Sequence, residues 1–393
     1  MRDAWRPDTM AVVGIGSTDF SKASGRSTLT LATQASLAAL ADAGLDPKDV
    51  DGIVRCDMDT VAPVALGEAL GVENLTYWGD VGPGGSAPAA MVAQAAAAVA
   101  AGLASTVVVF RSINGRSGER YGAGYAQSTR AGGSSTYEEM FLPYGMQTPG
   151  QYFAMVARRH MADHGTTSET LGRIATACRK HANANPAAQM HHRTMTMDDY
   201  HASRPLATPL RLFDFCLETD GACAVVVTSA ERARDLRQPP ALIRSAAQSG
   251  GADAQPGQMF PALMRDSITT WSSRALGEVL FRRGDMTPQD VDVAQIYDCF
   301  TITALIQLED LGFCGAGEAK DFIQEGTLEV GGALPINTSG GHLSEGYIHG
   351  MNHVVEAVRQ IRGTSTNQVP GAEVSLVTSA PTTGGSALLL VGA

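Results

Sequence analysis

Near its C-terminal end the chain reads Asn337-Thr-Ser-Gly-Gly-His-Leu-Ser-Glu-Gly-Tyr-Ile-His-Gly350, a run dense in groups that can do chemistry. His342, Tyr347 and His349 can each take or give a proton. Gly340, Gly341 and Gly346 let backbone N–H groups turn toward a ligand with no Cβ in the way. The apolar spacing of Val354, Val355, Ala357, Val358 and Ile361 predicts a helix over Met351–Ile361, so the glycine turn opens onto a helix N-terminus. Such an end favours an anion or a developing oxyanion. The plain alternative is a surface turn ahead of an amphipathic helix.

Composition narrows the function classes. Charged residues are 18% of the 393, below the usual quarter, which implies surface buried between subunits. The net charge is −11 and no basic cluster occurs, which argues against nucleic acid and against an electrostatic hold on anionic membranes. Cys56, Cys178, Cys216, Cys223, Cys299 and Cys314 are scattered without a CxxC pair, as expected for reduced thiols of a cytoplasmic protein. Met1–Met10 is polar and carries a proline, unlike a secretory signal. Ala87–Ala104 approaches a membrane span in length, but alanine dominates it and Pro88 and Gln94 interrupt it. It reads as a helix buried on all sides.

The elements that must position the chemistry follow from periodicity. Strand Met10–Ile15 leads to a helix over Thr28–Ala43, capped by Ser27 and ended by Gly44. Strand Gly52–Cys56, helix Val64–Leu70, a glycine-rich turn over Tyr77–Ser86, the alanine helix and strand Thr106–Ser112 complete a β-α-β-α-β order. This order predicts a mainly parallel sheet with helices on its faces. From about 113 to 205 the composition turns to Gly, Ser, Tyr, Met and His, with helices over Tyr152–His164 and Ser168–Asn183, which marks an inserted lobe. Strand Ala222–Thr228 closes the first half, 1–235, and strand Ala241–Ala246 opens the second, 236–393. Pro47-x-Asp49-Val50-Asp51 returns as Pro288-x-Asp290-Val291-Asp292, 241 residues later. The turn Gly84-Gly85-Ser86 before one helix is matched by the Gly340–Gly350 turn before another. The chain reads as two similar halves related by duplication.

This organisation resembles the thiolase superfamily, most closely its sterol-carrier-protein-type branch, over nearly the whole chain. The resemblance rests on Arg159-His160-Met161 with Gly165-Thr166-Thr167, on Asn185-Pro186 with Ala188, and on Leu210-Arg211 ahead of Asp214. It rests further on Asp220-Gly221-Ala222 with Ala224, on Asp298-Cys299-Phe300, and on Asn337 with Gly340-Gly341 and Gly346. It implies a five-layer α-β-α-β-α fold in two pseudo-symmetric halves with the inserted lobe.

The departures from that family carry the functional reading. Gly82 stands where a thiolase has its nucleophilic cysteine, in Gly82-Pro83-Gly84-Gly85-Ser86. Tyr347 replaces the histidine of Gly-His-Pro, and Tyr297 the histidine of His-Asp-Cys-Phe. No cysteine occurs in Ser379–Gly385. Covalent acyl-cysteine chemistry therefore cannot run in the usual way. Tyrosine keeps a proton donor and acceptor on a rigid ring, which suits removal of one proton and delivery of another without a nucleophile.

Such cysteine-less, tyrosine-bearing sequences resemble the lipid-transfer-protein-type aldolases of bacterial steroid side-chain degradation. The resemblance implies an aldol-lyase cleaving a steroid β-hydroxyacyl-CoA of the 17-hydroxy-3-oxo-pregnene-20-carboxyl-CoA type to a 17-keto steroid and propionyl-CoA. It also implies a homodimer joined by a DUF35-type OB-fold and zinc-ribbon subunit, as a heterotetramer. No metal or cofactor is expected in this chain, and zinc only in the partner.

Under this reading Tyr297, Tyr347 and His342 are catalytic. Tyr347 is the base toward the hydroxyl and Tyr297 the acid toward the enolate, though the two labels exchange freely. Gly84, Gly85, Ser86, Asp298, Gly340, Gly341, Gly346, His349, Gly384 and Gly385 line the substrate. The glycine turns supply an oxyanion hole, and the missing side chain at Gly82 clears room for a bulky substrate.

Two rival readings are a thiolase or acyltransferase with a relocated cysteine such as Cys299, and a non-catalytic acyl-CoA or lipid-binding scaffold. His160 and His164 with Glu169 have metal-ligand spacing but read as a half-exposed helix face. Gly14-x-Gly16 lacks the remainder of a dinucleotide fingerprint.

Overall fold

Local signals in the first fifty residues are followed closely by the chain. Helix Thr28–Ala43 forms with those bounds; Ser27 accepts from the Thr30 amide, and Gly44, at φ 75°, ends the helix in the left-handed region. The computed structural model describes residues 5–118, 120, 142–251, 263, 266–380, 382 and 384–393. Part of the lobe read over about 113–205, and Pro381 and Thr383 of the C-terminal glycine segment, lie outside these residues.

The strands are β1 Met10–Ser17, β2 Gly52–Cys56, β3 Tyr77–Val81, β4 Val107–Asn114, β5 Pro205–Ala207, β6 Leu210–Arg211, β7 Asp220–Ser229, β8 Ala241–Ser249, β9 Val293–Gln295, β10 Val374–Thr378 and β11 Gly385–Val391. Nine form one sheet in the order β3-β2-β4-β7-β1-β8-β11-β10-β9, while β5 and β6 make a separate pair. Read outward from the β1/β8 junction, each half repeats the same order: β1-β7-β4-β2-β3 in one, β8-β11-β10-β9 in the other. Ile336 bridges β9 in parallel where the first half has β3. Ala11 opposite Leu242 and Val12 opposite Ala241 join the halves.

The sheet is mixed rather than mainly parallel. β2, β3 and β4 do pair in parallel, as the β-α-β-α-β order requires. After the lobe, β7 inserts between β4 and β1, antiparallel to both. A crossover that returns the chain to the end it left makes the next strand run backward. The turn read over Tyr77–Ser86 also contains β3, hidden by its Gly79-Asp80. This strand lies at the sheet edge, and its Trp78 is 57% exposed.

Alternating side chains sort the strands into layers. Ala11, Val13, Val108 and Phe110 pack outward on helix Thr28–Ala43. Val12, Val54, Val109, Leu388 and Leu390 pack inward on two central helices, Pro88–Ala100 and Met351–Arg362. Helices Ser272–Gly284 and Thr301–Asp310 cover the far face through Leu280, Leu305, Leu376 and Leu389. Five layers result, and each fully buried Val, Leu or Ile contributes about 1.5–3 kcal/mol. The alanine helix is central but not buried all round, since Ala97 and Ala100 reach solvent. Gly14 and Gly16 serve packing: a Cβ there would lie 2.1 Å from Ala39 O and 2.2 Å from Ala35 O of the covering helix.

The repeated Pro-x-Asp-Val-Asp does the same work twice. Asp49 and Asp290 accept the amides of Asp46 and Thr287 at short 3-10 turns. Asp51 accepts the Ser105 and Thr106 amides at the entry to β4, and Asp292 accepts the Glu373 and Val374 amides at the entry to β10. Each carboxylate thus pins two crossing segments of its half.

Candidate active site

Asn337 brings the glycine run against the end of β9. Its side chain accepts the Ile296 amide at 2.7 Å and donates to the Ile296 carbonyl at 2.9 Å. Tyr297 is held beyond it: its amide donates to Thr378 Oγ1, and its carbonyl accepts from Gln307 Nε2. Tyr347 is anchored by its own amide, which donates to Thr219 Oγ1 at 2.9 Å. The two phenols meet with Tyr297 Oη 2.7 Å from Tyr347 Oη. Tyr297 is 2% exposed, whereas Tyr347 is half-buried.

Burial pushes both phenols well above 10, and neighbouring Cys299 and Cys216 add to the shift. Both tyrosines are therefore neutral at physiological pH. The His342 ring lies edge-on to each of them, with centroids 4.7 Å from Tyr297 and 4.9 Å from Tyr347.

Behind the tyrosines, Asp298 is fully buried. Burial alone would raise its carboxyl, but His342, His353 and backbone amides outweigh it and hold the carboxyl below the usual range. It accepts the His342 and Leu343 amides at 2.9 and 3.3 Å. Its Oδ1 lies 3.3 Å from both His342 Nδ1 and His353 Nε2. Burial, reinforced by His353, drives the His342 imidazole well below 6.5. Among the described residues Asp298, His342 and His353 form the one group with metal-ligating spacing, their ligand atoms within 4.8 Å. The carboxylate accepts the two amides, and the two imidazoles lie against it with their ring nitrogens making no hydrogen bond. His353 is new here; nothing in its sequence spacing from His342 announces the contact.

In the glycine turns read as an oxyanion hole, some of the amides are already engaged. The Gly84 amide donates to Asp57 Oδ1 at 2.9 Å, and the Gly340 amide to Asn337 O at 2.8 Å. Asp298 takes the amides of His342 and Leu343, and Ser379 and Ser386 take those of Ala89 and Ala90 at the alanine helix. Internal acceptors thus engage the amides of Gly84, Ala89, Ala90, Gly340, His342 and Leu343. Gly340 and Gly341 adopt φ 112° and 61°. At Gly341 a Cβ would meet Asp298, and at Gly346 it would meet Phe20.

Gly85 sits in the site itself, since a Cβ there would fall 2.2 Å from Tyr297 Oη. Ser86 is turned away, its hydroxyl donating to Ala380 O. Gly384 and Gly385 lie at the β10–β11 connection, whose Ala380 amide donates to Gly85 O. The space at Gly82 is not cleared: a Cβ there would lie 2.1 Å from Asp57 Oδ2.

His349 completes the surroundings with φ 54° and its ring 5.1 Å from that of Tyr347. Arg111 Nε donates to His349 Nδ1 at 3.2 Å, which leaves the imidazole hydrogen on Nε2, the tautomer able to donate to an enolate oxygen. Burial, then Arg111, holds this imidazole neutral. Arg111 pairs with Asp59 at 3.1 Å, both side chains at most 2% exposed. Sequence reading passed over this pair; its one signal was an arginine inside the apolar strand read over Thr106–Ser112.

Other candidates separate from the site. Burial pushes the Cys299 and Cys216 thiols up, and Cys56 up to about 12, so none is an ionised nucleophile. His160 is fully buried rather than half-exposed, bonded to Thr166 and Glu309. Glu169 instead meets His201.

The layered fold and the paired phenols define a thiolase-fold protein with tyrosines in place of two histidines and Gly82 in place of the cysteine. A family model described as "Thiolase C-terminal domain-like" matches residues 260–391. The chain is 48% identical to a "Steroid side-chain-cleaving aldolase" of Thermomonospora curvata, over 98% of each chain. It is 49% identical to the "17-hydroxy-3-oxo-4-pregnene-20-carboxyl-CoA lyase" of Mycobacterium tuberculosis, over 95% of this chain and 97% of that one. The solved structure of an "Ltp2-ChsH2(DUF35) aldolase" superposes with a TM-score of 0.93 at 47% identity, over 98% of each chain. The chain belongs to the thiolase superfamily, in its group of steroid side-chain-cleaving aldolases.

Proposed function

We propose that this chain is a carbon–carbon lyase performing retro-aldol cleavage of a steroid β-hydroxyacyl-CoA, the class named for its Mycobacterium tuberculosis relative. The observation that carries the reading is the 2.7 Å hydrogen bond between the Tyr297 and Tyr347 hydroxyls, beside thiols held protonated.

With both phenols neutral, a preformed phenolate base is not required. The substrate hydroxyl gives its proton to Tyr347 Oη as the carbinol carbon becomes a ketone. The electron pair of the breaking carbon–carbon bond moves into the thioester as an enolate. Tyr347 passes its own proton to Tyr297, and Tyr297 delivers one to the enolate α-carbon. The pair ends as it began, leaving a 17-keto steroid and propionyl-CoA. The greater exposure of Tyr347 supports its place toward the hydroxyl, and the reverse order balances equally. His342 holds the tyrosine rings from the side, and His349 suits the enolate oxygen. Water excluded from the buried pair strengthens these hydrogen bonds.

The assembly is a homodimer joined to a DUF35-type OB-fold and zinc-ribbon subunit, with zinc in that partner and no cofactor in this chain. The similar Ltp2-ChsH2(DUF35) aldolase, which carries DUF35 in its name, supports a DUF35-type partner. The edge strand β3 with its exposed Trp78 suits pairing with a second copy. Residues 1–235 and 236–393 serve as its two halves. Among the described residues no helix is long and apolar enough to cross a membrane, and the six cysteines are free; a cytoplasmic place fits both.

The test is product analysis by mass spectrometry on the chain co-expressed with its zinc-ribbon partner and given the 17-hydroxy steroid thioester. Release of propionyl-CoA and 17-keto steroid without added free CoA, lost in Tyr347→Phe, supports the lyase. Cleavage only with free CoA points to a thiolase, and no cleavage to a binding role.

A further inference from the structure

We propose that Asp57, which follows β2, is a positioning residue of this reaction, its carboxylate filling the place of a side chain at position 82 and clamping the Gly82–Ser86 turn against Tyr297. The proposal rests on the aldolase reading for its kinetic part only.

Asp57 is exposed, and an exposed carboxylate ordinarily turns to water. Here both of its oxygens face the turn. Oδ1 accepts the Gly84 amide at 2.9 Å and the Cys56 thiol at 3.4 Å. Oδ2 lies so near Gly82 Cα that a Cβ on residue 82 would stand 2.1 Å from it, and 2.4 Å from the carboxyl carbon. The Asp57 amide also donates to Val81 O at 2.8 Å. One residue therefore holds both sides of the corner between Val81 and Gly84, by backbone on one side and carboxylate on the other.

The far end of the same turn is fixed from the second half of the chain. The Ala380 amide donates to Gly85 O at 2.9 Å, and Ser86 Oγ donates to Ala380 O at 2.8 Å. Between these two clamps, Gly85 presents a bare Cα to Tyr297 Oη, with 2.2 Å to the position of an added Cβ. Gly85 is thus the wall that keeps Tyr297 Oη at 2.7 Å from Tyr347 Oη. Releasing the Asp57 clamp lets the wall move, and proton transfer between two oxygens falls steeply with their separation.

A steric consequence follows. A side chain at position 82 and the observed Asp57 carboxylate exclude one another. Residue 82 is where a covalent nucleophile would stand, so Asp57 and acyl-cysteine chemistry are alternatives at one point in space.

The experiment compares Asp57→Ala, Asp57→Asn, Gly82→Ala and the double variant Asp57→Ala/Gly82→Ala, each in complex with the zinc-ribbon partner. Two readouts are taken: amide hydrogen exchange of the 82–88 segment, and kcat and KM for steroid thioester cleavage. Asp57→Ala should speed exchange in 82–88 and leave helix Thr28–Ala43 unchanged. Its kcat should fall about tenfold or more with KM within about threefold. Asp57→Asn, whose amide oxygen still accepts from Gly84, should restore both readouts to near wild type. Gly82→Ala should resemble Asp57→Ala, and the double variant should be no worse than either.

Unchanged exchange in Asp57→Ala overturns the clamp whatever the activity. Faster exchange with wild-type kcat overturns the positioning role, as does a double variant whose losses multiply. Faster exchange in a complex that cleaves no steroid thioester even as wild type supports the clamp and removes the aldolase assignment instead.

Discussion

Tyr297 and Tyr347 share a hydrogen bond of 2.7 Å at the end of the β9 strand, although fifty residues separate them. The pair acts as a unit, so its loss is not divisible. Tyr297→Phe and Tyr347→Phe should each lower kcat by about a hundredfold or more, and the double variant should lose little further. Single-turnover kinetics on the three proteins checks this; independent, multiplying losses would sink the relay.

The pH dependence follows from burial. Both phenols are pushed well above 10, so neither changes charge in the working range. The kcat profile should be flat from about pH 6 to pH 9. A base that had to ionise first would instead show a rise of about tenfold per pH unit.

Stability has its own acid limit. Burial holds His181 down to about 4 and His342 and His349 well below 6.5. Each is neutral when folded, while the unfolded chain takes up protons once the pH falls below about 6.5. Their folded pKa values are depressed, so their contribution is intact above 6.5 and is lost as the pH falls toward 4. The melting temperature should therefore fall over that window, and less steeply in His181→Asn. Equal slopes in the two proteins would contradict the assignment.

Gly85→Ala tests the wall beside Tyr297. The added methyl meets Tyr297 Oη at 2.2 Å, so the phenols must separate while the turn keeps its clamps. We expect kcat to drop by about a hundredfold with the melting temperature within a few degrees of wild type. Wild-type turnover would show that the distance does not matter.

Thiol chemistry is predicted to be absent. Burial keeps Cys299 and Cys216 protonated, so intact mass during turnover should show no acyl adduct, and alkylation should leave activity unchanged. A mass increment removed by Cys299→Ala would revive the relocated-cysteine reading.

The sequence alone determined the elements and the chemical types at the site. Helix bounds at Ser27 and Gly44, the duplicated Pro-x-Asp-Val-Asp, and tyrosine at 297 and 347 in place of histidine were legible because capping, periodicity and residue identity are local properties. The tertiary structure decided what those groups do to one another. That the amides of Gly84, His342 and Leu343 are taken by Asp57 and Asp298, that Arg111 fixes the tautomer of His349, and that His353 joins Asp298 are contacts between distant segments. The strand order was likewise decided by where β7 returns after the lobe. A hydrogen bond needs a distance and an angle, and chain spacing sets neither once the partners lie on different elements.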